Sequence, residues 1–216
     1  MAPRLTAQAA ALRVGLMGGT FDPPHYGHLA LAEAAREALE LERVIFLPNG
    51  QPPHKPAWEV SPAEHRYAMT ELACASHPHF FVSRAEMDRP GPSYSLDTVR
   101  AFQRELGPDL RLYFIVGMDS VVELPTWHEP DRLLEEAQVV AADRPGSESP
   151  DLEAILGAER RAKVQLIRMA PLGISGTDLR ERVRAGRSLW YLTPEPVAAY
   201  IEKHGLYRQG EKNAQG

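Results

Sequence analysis

The stretch RVGLMGGTFDPPHYGHLALAEAAREALELERVIFL, residues 13–47, decides the fold. Arg13 to Met17 is a short apolar run that stops at Gly18-Gly19, the punctuation expected where a buried strand meets a loop. From Gly27 to Leu39 the residues Leu31, Ala35, Ala38 and Leu39 share one helical face, while Glu33, Arg36 and Glu37 fall on the other. Val44 to Leu47 reads as a second buried strand, closed by Pro48-Asn49-Gly50. Strand, helix, strand is a βαβ unit, whose crossover is right-handed.

The alternation continues downstream. Ser61-Pro62-Ala63-Glu64 reads as a helix start, with a serine cap, proline at the first helical position and glutamate placed to close a capping box. Met69, Leu72 and Ala73 give that helix its apolar stripe, and His77-Pro78 ends it. Phe80 to Val82 is a third strand, and Ser95 to Leu106 a helix with Leu96, Val99 and Leu106 inward, stopped by Gly107-Pro108. Leu112 to Val116, Gln138 to Ala141 and Val164 to Ile167 complete six strands. After Ile174 only helical signals remain: Gly176 to Ala185, then a helix capped by Thr193-Pro194 and ended by Gly205. The expected fold is α/β, a doubly wound Rossmann-like parallel sheet with a small C-terminal helical subdomain over about residues 174–208. Residues 13–208 form the domain, with 1–12 a frayed extension and 209–216 a polar, disordered tail.

Composition bounds the function. The 216 residues carry 24 Lys plus Arg against 29 Asp plus Glu, a net charge of −5, with 44% hydrophobic residues, which is an ordinary soluble globular balance. The single cysteine, Cys74, excludes an intrachain disulfide or a Cys-rich metal site and reads as a small buried apolar side chain. No run approaches the roughly 18 apolar residues of a membrane span, and the first 13 residues make a poor secretory signal, so a cytoplasmic protein is expected. The acidic balance weighs against a nucleic-acid binder. It leaves room for a small anionic substrate, because screening over ~8 Å makes local charge decisive.

The chemistry concentrates in Gly18-Gly19-Thr20-Phe21-Asp22-Pro23-Pro24-His25-Tyr26-Gly27-His28, between the first strand and its helix. There a glycine-rich turn lets backbone N–H groups approach a phosphate at a helix N-terminus. The string is neither GxGxxG nor GxxxxGKS, so neither a dinucleotide-binding redox fingerprint nor a Walker loop applies. Two imidazoles, His25 and His28, stand three apart across a helix start and point both rings at one anion, with Gly27 leaving room. The plainer alternative is that one histidine caps the helix and the other packs.

His25-Tyr26-Gly27-His28 resembles the HxGH signature of the nucleotidyltransferase superfamily, and GGTFDPPHYGH is similar to the bacterial nicotinate mononucleotide adenylyltransferases. Further segments agree with that family in order and spacing: Pro53-His54-Lys55, His65-Arg66 with Met69, Ser93-Tyr94-Ser95 with Asp97-Thr98, Phe114 to Asp119 followed by Trp127, and Ile174 to Arg180. The resemblance implies attack by the phosphate of nicotinate mononucleotide on the α-phosphorus of ATP, giving the deamido dinucleotide and pyrophosphate. It implies His25, His28 and Arg180 as catalytic residues. It puts Gly18, Gly19, Thr20, Phe21, Gly117, Asp119, Ile174, Ser175 and Thr177 with them around ATP. Thr20, Lys55, Tyr94, Ser95, Trp127 and Arg144 fall to the mononucleotide: Lys55 near its phosphate, Trp127 stacked on the pyridine ring, and Tyr94-Ser95 in the segment whose N–H groups meet the carboxylate. Mg²⁺ is implied with ATP, without a dedicated protein cage.

This chain has Gly176 where the family commonly has a second serine, Leu179 in place of isoleucine and Ser95 in place of threonine. Plainer readings stand beside several assignments: a solvated loop lysine at Lys55, an N-cap at Ser175 with a surface Arg180, and a helix cap at Asp119 for Ser120 to Leu124. Arg66 is read as holding a loop, and Trp58 and Trp190 as packing residues. The competing functions are an adenylyltransferase for nicotinamide mononucleotide or phosphopantetheine, and a nucleotide-sensing protein that does not catalyse. A monomer and a homo-oligomer are equally compatible with the sequence.

Overall fold

A computed structural model describes residues 12–52, 59–107, 109–143 and 150–208. Six strands, β1 (Leu12–Gly19), β2 (Arg43–Pro48), β3 (Phe80–Val82), β4 (Leu110–Val116), β5 (Gln138–Asp143) and β6 (Val164–Arg168), form one sheet in the order β3-β2-β1-β4-β5-β6. Every pairing is parallel. Between and after the strands run the helices α1 (Tyr26–Ala38), α2 (Ala63–Cys74), α3 (Ser95–Leu106), α4 (Met118–Glu123), α5 (Pro130–Glu136), α6 (Leu152–Leu156), α7 (Ala158–Ala162), α8 (Gly176–Arg184) and α9 (Glu195–Lys203).

Strand periodicity sorts the core onto two faces. Val14, Leu16, Leu112, Phe114 and Val116 bury with Val99 and Phe102 of α3 on one face. Met17, Tyr113, Ile115 and Val140 bury with Leu31 and Ala35 of α1 on the other. A separate cluster joins α2 to the C-terminal helices through Met69, Ala73, Leu179, Val197 and Ile201.

The chain changes direction across the sheet at β1, which pairs with β2 on one side and β4 on the other. In sheets wound this way the ligand crevice opens at the carboxyl ends of the two strands flanking that switch. The last β1–β4 partners are Leu16 and Phe114, so Met17 to Gly19 run past them and carry the Gly-Gly turn into the crevice.

The structure departs from sequence expectation in particular places. Leu12, placed in the frayed extension, begins β1. The capping box at Ser61 does not form: Pro62 is extended at the N-cap (φ −47°, ψ 139°), Ser61 gives its N–H to Asp22, and Glu64 turns outward to fork with Arg84. Thr193 does not cap α9 either, because its hydroxyl donates to the Pro24 carbonyl at 2.7 Å. Trp190 is 53% exposed rather than packed, and Leu106, in the last turn before Gly107 reverses the chain at φ +89°, is exposed while Phe102 takes the inward place. Helices α5, α6 and α7, each of five to seven residues, are too short to show a helical period. Trp58, residues 1–11 and the tail 209–216 lie outside the described residues.

One buried cation ties the crevice together. Arg66, on α2, is 1% exposed. Its Nε donates to the Ser61 carbonyl at 2.9 Å, Nη1 to the Thr20 carbonyl at 3.0 Å and to Asn49 Oδ1 at 3.2 Å, and Nη2 to the Gly50 carbonyl at 3.2 Å. Burial pulls its pKa down, opposed by the nearby Asp22 carboxylate. The planar fork reaches segments after β1 and β2 and before α2, which a lysine ammonium cannot do from one position. Arg66→Met strands those buried acceptors and is expected to lower unfolding free energy by about 3 kcal/mol or more, with Arg66→Lys recovering little. Urea denaturation midpoints of the three proteins check this.

Candidate active site

Beyond Gly19 the chain turns at Phe21, held at φ +49°, and its ring drops into the core at 1% exposure. There it meets the His28 ring edge-on at 5.1 Å and Phe46 at 5.7 Å. Asp22 follows through a cis bond to Pro23, and His25 becomes the N-cap of α1. The two histidines stack, with ring centroids 3.7 Å apart and planes 28° from parallel. The backbone N–H of His25 donates to Nδ1 of His28 at 3.2 Å as part of a capping box. The ring stack and the capping box are therefore one geometry. A Cβ at residue 27 would lie 2.9 Å from Nδ1 of His25, which explains glycine between the two imidazoles.

Burial, and then the neighbouring His25, push His28 well below the usual histidine range, so it is neutral at pH 7. Because Nδ1 accepts a hydrogen bond, the proton of the neutral ring sits on Nε2, leaving a donor for an incoming oxygen.

Helix α8 closes the same side. Ser175 is its N-cap and accepts from the Asp178 N–H at 3.1 Å, so this hydroxyl serves the helix. Arg180 donates from Nη1 to the Asp22 carbonyl at 2.8 Å and from Nη2 to Thr177 Oγ1 at 3.1 Å. That bridge lays the guanidinium across the loop that leads to the histidines. A Cβ at Gly176 would come within 3.2 Å of the Asp22 carbonyl and 3.3 Å of Arg180 Nη1. Asp22 is itself gripped by the Ser61 N–H at 3.1 Å and the Tyr207 hydroxyl at 2.6 Å.

On the other side of Gly18 to Thr20 a cavity of about 670 Å³ opens between the ends of β1 and β4. Gly18, Gly19, Thr20, Asn49, Ser93, Tyr94, Ser95, Trp127 and His128 are among the residues lining it. Trp127 is partly buried and meets Phe114 edge-on at 6.1 Å. Tyr94 is the N-cap of α3, whose first intrahelical bond runs from the Thr98 N–H to the Tyr94 carbonyl. The N–H groups of Ser95, Leu96 and Asp97 thus have no acceptor within the helix and mark an anion-favouring end beside the cavity.

The sequence-derived residues fall into distinct groups. Gly18, Gly19, Thr20, Tyr94, Ser95 and Trp127 line the cavity; His25 and His28 stack on each other outside that lining, and Arg180 bonds Thr177 and the carbonyl of Asp22 in the loop that leads to them. Phe21 contributes backbone to the loop while its ring packs inward. Gly117 is the N-cap of α4, so Asp119 is not that helix's cap but an exposed residue of its first turn, next to cavity-lining Ser120. The Ile174 carbonyl approaches the start of α1, 3.6 Å from where a Gly27 Cβ would be. Lys55 and Arg144 lie outside the described residues.

Sequence reading missed His128, whose ring stacks on Tyr94 at 4.3 Å and 26°. It also missed Glu86, buried at 4% exposure, whose carboxyl is raised by desolvation against the opposing pull of Thr98 and Arg89. Neither sits in a motif with a period. His128 follows Trp127 directly, which was the available clue.

A family model described as "Cytidylyltransferase-like" matches residues 16–182. A protein of Moorella thermoacetica named "Probable nicotinate-nucleotide adenylyltransferase" is 52% identical, the match spanning 91% of this chain and 92% of that one. A Roseiflexus protein of the same name is 48% identical over 90% and 98%. Among solved structures, a Plasmodium falciparum nicotinic acid mononucleotide adenylyltransferase complexed with NaAD superposes with a TM-score of 0.73 at 20% identity, covering 90% of this chain and 97% of its own, a likeness of fold. With identities of this size over nearly its whole length, the chain belongs to the nicotinate-nucleotide adenylyltransferase family.

Proposed function

We propose that this chain transfers the adenylyl group of ATP to nicotinate mononucleotide, releasing pyrophosphate and forming the deamido dinucleotide of NAD biosynthesis. The mononucleotide phosphate attacks the α-phosphorus, a new P–O bond forms there, and the bond to the β-phosphate breaks. The attacking phosphate is already ionised at neutral pH, so the protein supplies position and charge stabilisation rather than a base. Support comes from one arrangement: the α3 N-terminus and Trp127 at the cavity that the Gly18–Thr20 turn lines, with the stacked His25 and His28 and the Arg180 bridge to Asp22 in the loop that continues from that turn.

In this reading the pyridine ring lies on Trp127, its carboxylate meets the N–H groups at Ser95, and the ATP phosphates lie against His28 Nε2 and the remaining N–H groups of Arg180. Lys55 and Arg144 belong to the same proposal as mononucleotide-phosphate ligands. ATP enters as its magnesium complex. The ion is read as carried on substrate oxygens and water, with the Asp22 carboxylate occupied by Ser61 and Tyr207. No described helix is long and apolar enough to cross a membrane; the proposed site of action is the cytoplasm.

Pyrophosphate release from MgATP, with nicotinate mononucleotide, nicotinamide mononucleotide and phosphopantetheine offered in parallel, tests the reaction. Release with the nicotinate form well above the amide is expected; ATP binding without release under any acceptor would overturn it in favour of a nucleotide sensor. His28→Ala is expected to lower kcat by roughly 10²–10³-fold while changing ATP affinity much less, since the donor acts where charge develops. Steady-state kinetics beside equilibrium ATP binding distinguish the two effects.

The neutral His28 also makes stability pH-dependent. Its folded pKa lies below the unfolded value of about 6.5, so the unfolded chain binds the extra proton and stability declines as pH falls through about 6.5 towards the folded value. His28→Gln is expected to reduce that decline, seen as a smaller loss of urea midpoint between about pH 7.5 and 5.5.

A further inference from the structure

The first turn of α3 is held by Thr98 and Arg89, which do not line the cavity, together with Glu86, which does. Thr98 is fully buried, and its hydroxyl donates to Glu86 Oε1 at 2.7 Å. Thr98 Oγ1 in turn accepts from Arg89 Nη2 at 3.0 Å, and that nitrogen also lies 3.4 Å from the Tyr94 carbonyl. The Thr98 N–H closes the set on the Tyr94 carbonyl at 3.2 Å. The hydroxyl and the guanidinium therefore grip the N-cap carbonyl of α3, and the Glu86 carboxylate holds the hydroxyl. The clamp extends to the loop after β2 through Ser93, whose N–H donates to the Gln51 carbonyl at 3.1 Å and whose Oγ accepts from the Gly50 N–H at 3.1 Å.

This placement has a chemical consequence. Acid and amide forms of the pyridine substrate differ at one group, and recognition of a carboxylate by helix N–H donors depends on where those donors stand to within a few tenths of an ångström. The donors before the first intrahelical bond belong to Ser95, Leu96 and Asp97, directly after the gripped Tyr94. A buried group that fixes Tyr94 fixes them.

We propose that Thr98 is a positioning residue for substrate choice: held between Glu86 and Arg89, it sets the first turn of α3 and thereby the preference for an acidic over an amide pyridine nucleotide, without touching either. The inference rests on the reading that the α3 N-terminus receives the pyridine carboxylate. Thr98 differs from residues that serve stability alone in that its effect falls on one substrate. The ATP side, built on His25, His28 and Arg180, is braced separately through Asp22, Thr177 and Tyr207.

The test compares wild type with Thr98→Val, which keeps the shape and removes the hydroxyl, and Thr98→Ser, which keeps the hydroxyl. KM and kcat are measured for nicotinate mononucleotide, nicotinamide mononucleotide and ATP, beside a thermal melt. Expected for Thr98→Val is a rise of about tenfold in KM for the nicotinate substrate, the scale of a lost hydrogen bond to a charged group, with the KM for ATP within about twofold and the acid-to-amide ratio of kcat/KM reduced several-fold. Thr98→Ser restores the ratio. If Thr98→Val shifts ATP and mononucleotide KM together, or leaves the acid-to-amide ratio unchanged, the positioning role is overturned. Should Thr98→Val fail to fold, Arg89→Met, which removes the donor to Thr98 and Tyr94 at a residue that does not line the cavity, takes its place: a reduced acid-to-amide ratio supports the role, and an unchanged ratio overturns it. A wild-type protein that turns over no nicotinate mononucleotide would instead bring down the underlying reading of the reaction, before any variant is compared.

Discussion

A single buried guanidinium sets the geometry on which the crevice depends. Arg66 is enclosed, cationic and surrounded by oxygen acceptors, and its bonds to Ser61, Thr20, Asn49 and Gly50 bring together segments that the sheet alone leaves independent. Parallel strands fix where their own residues lie, but not how the connections leaving their carboxyl ends are arranged. Burying a charge is costly unless it is satisfied, so each acceptor constrains the others. The Thr20 carbonyl held by Arg66 lies between the Gly-Gly turn and Phe21, and from there the path to His25 follows.

From this anchor the site divides by function of its donors. One half is made of backbone, the free end of α3 beside an aromatic wall, and suits a planar ring bearing a carboxylate. The other half is made of side chains, a stacked imidazole pair and an arginine already committed at two positions. Stacking at 3.7 Å discourages charge on both imidazoles at once, so the pair offers directed hydrogen bonds and the standing positive charge on this side is that of Arg180. A phosphate nucleophile needs no more than that.

How much of this was legible in the sequence follows from how local each signal is. The strands were readable as short apolar runs closed by turn residues, and the helix Ser95–Leu106 because its buried residues recur at helical spacing. The HxGH turn was readable because its chemistry is contiguous. The failures are tertiary overrides: Ser61 and Thr193 carry cap chemistry, but Asp22 and Pro24, distant in sequence, claim their polar groups first. Trp190 was assigned by its apolarity to a core that the fold does not extend to it. Arg66 was recognisable as a loop-holding residue from its position, whereas the Glu86–Thr98–Arg89 set was not, since nothing in the spacing of these residues announces that one hydroxyl serves both charges.

The bond between Tyr207 and Asp22 joins residues 185 positions apart, in a chain whose first strand supplies the glycine turn. Synthesis is vectorial, and at ~5–20 residues per second the interval between these two residues leaving the ribosome is on the order of ten to forty seconds. Through that interval β1 and α1 are present while the Tyr207 hydroxyl, which joins the Ser61 N–H in holding the Asp22 carboxylate, is not. The first strand and helix of the nascent protein therefore wait on residues beyond α9 before the loop between them is fully held.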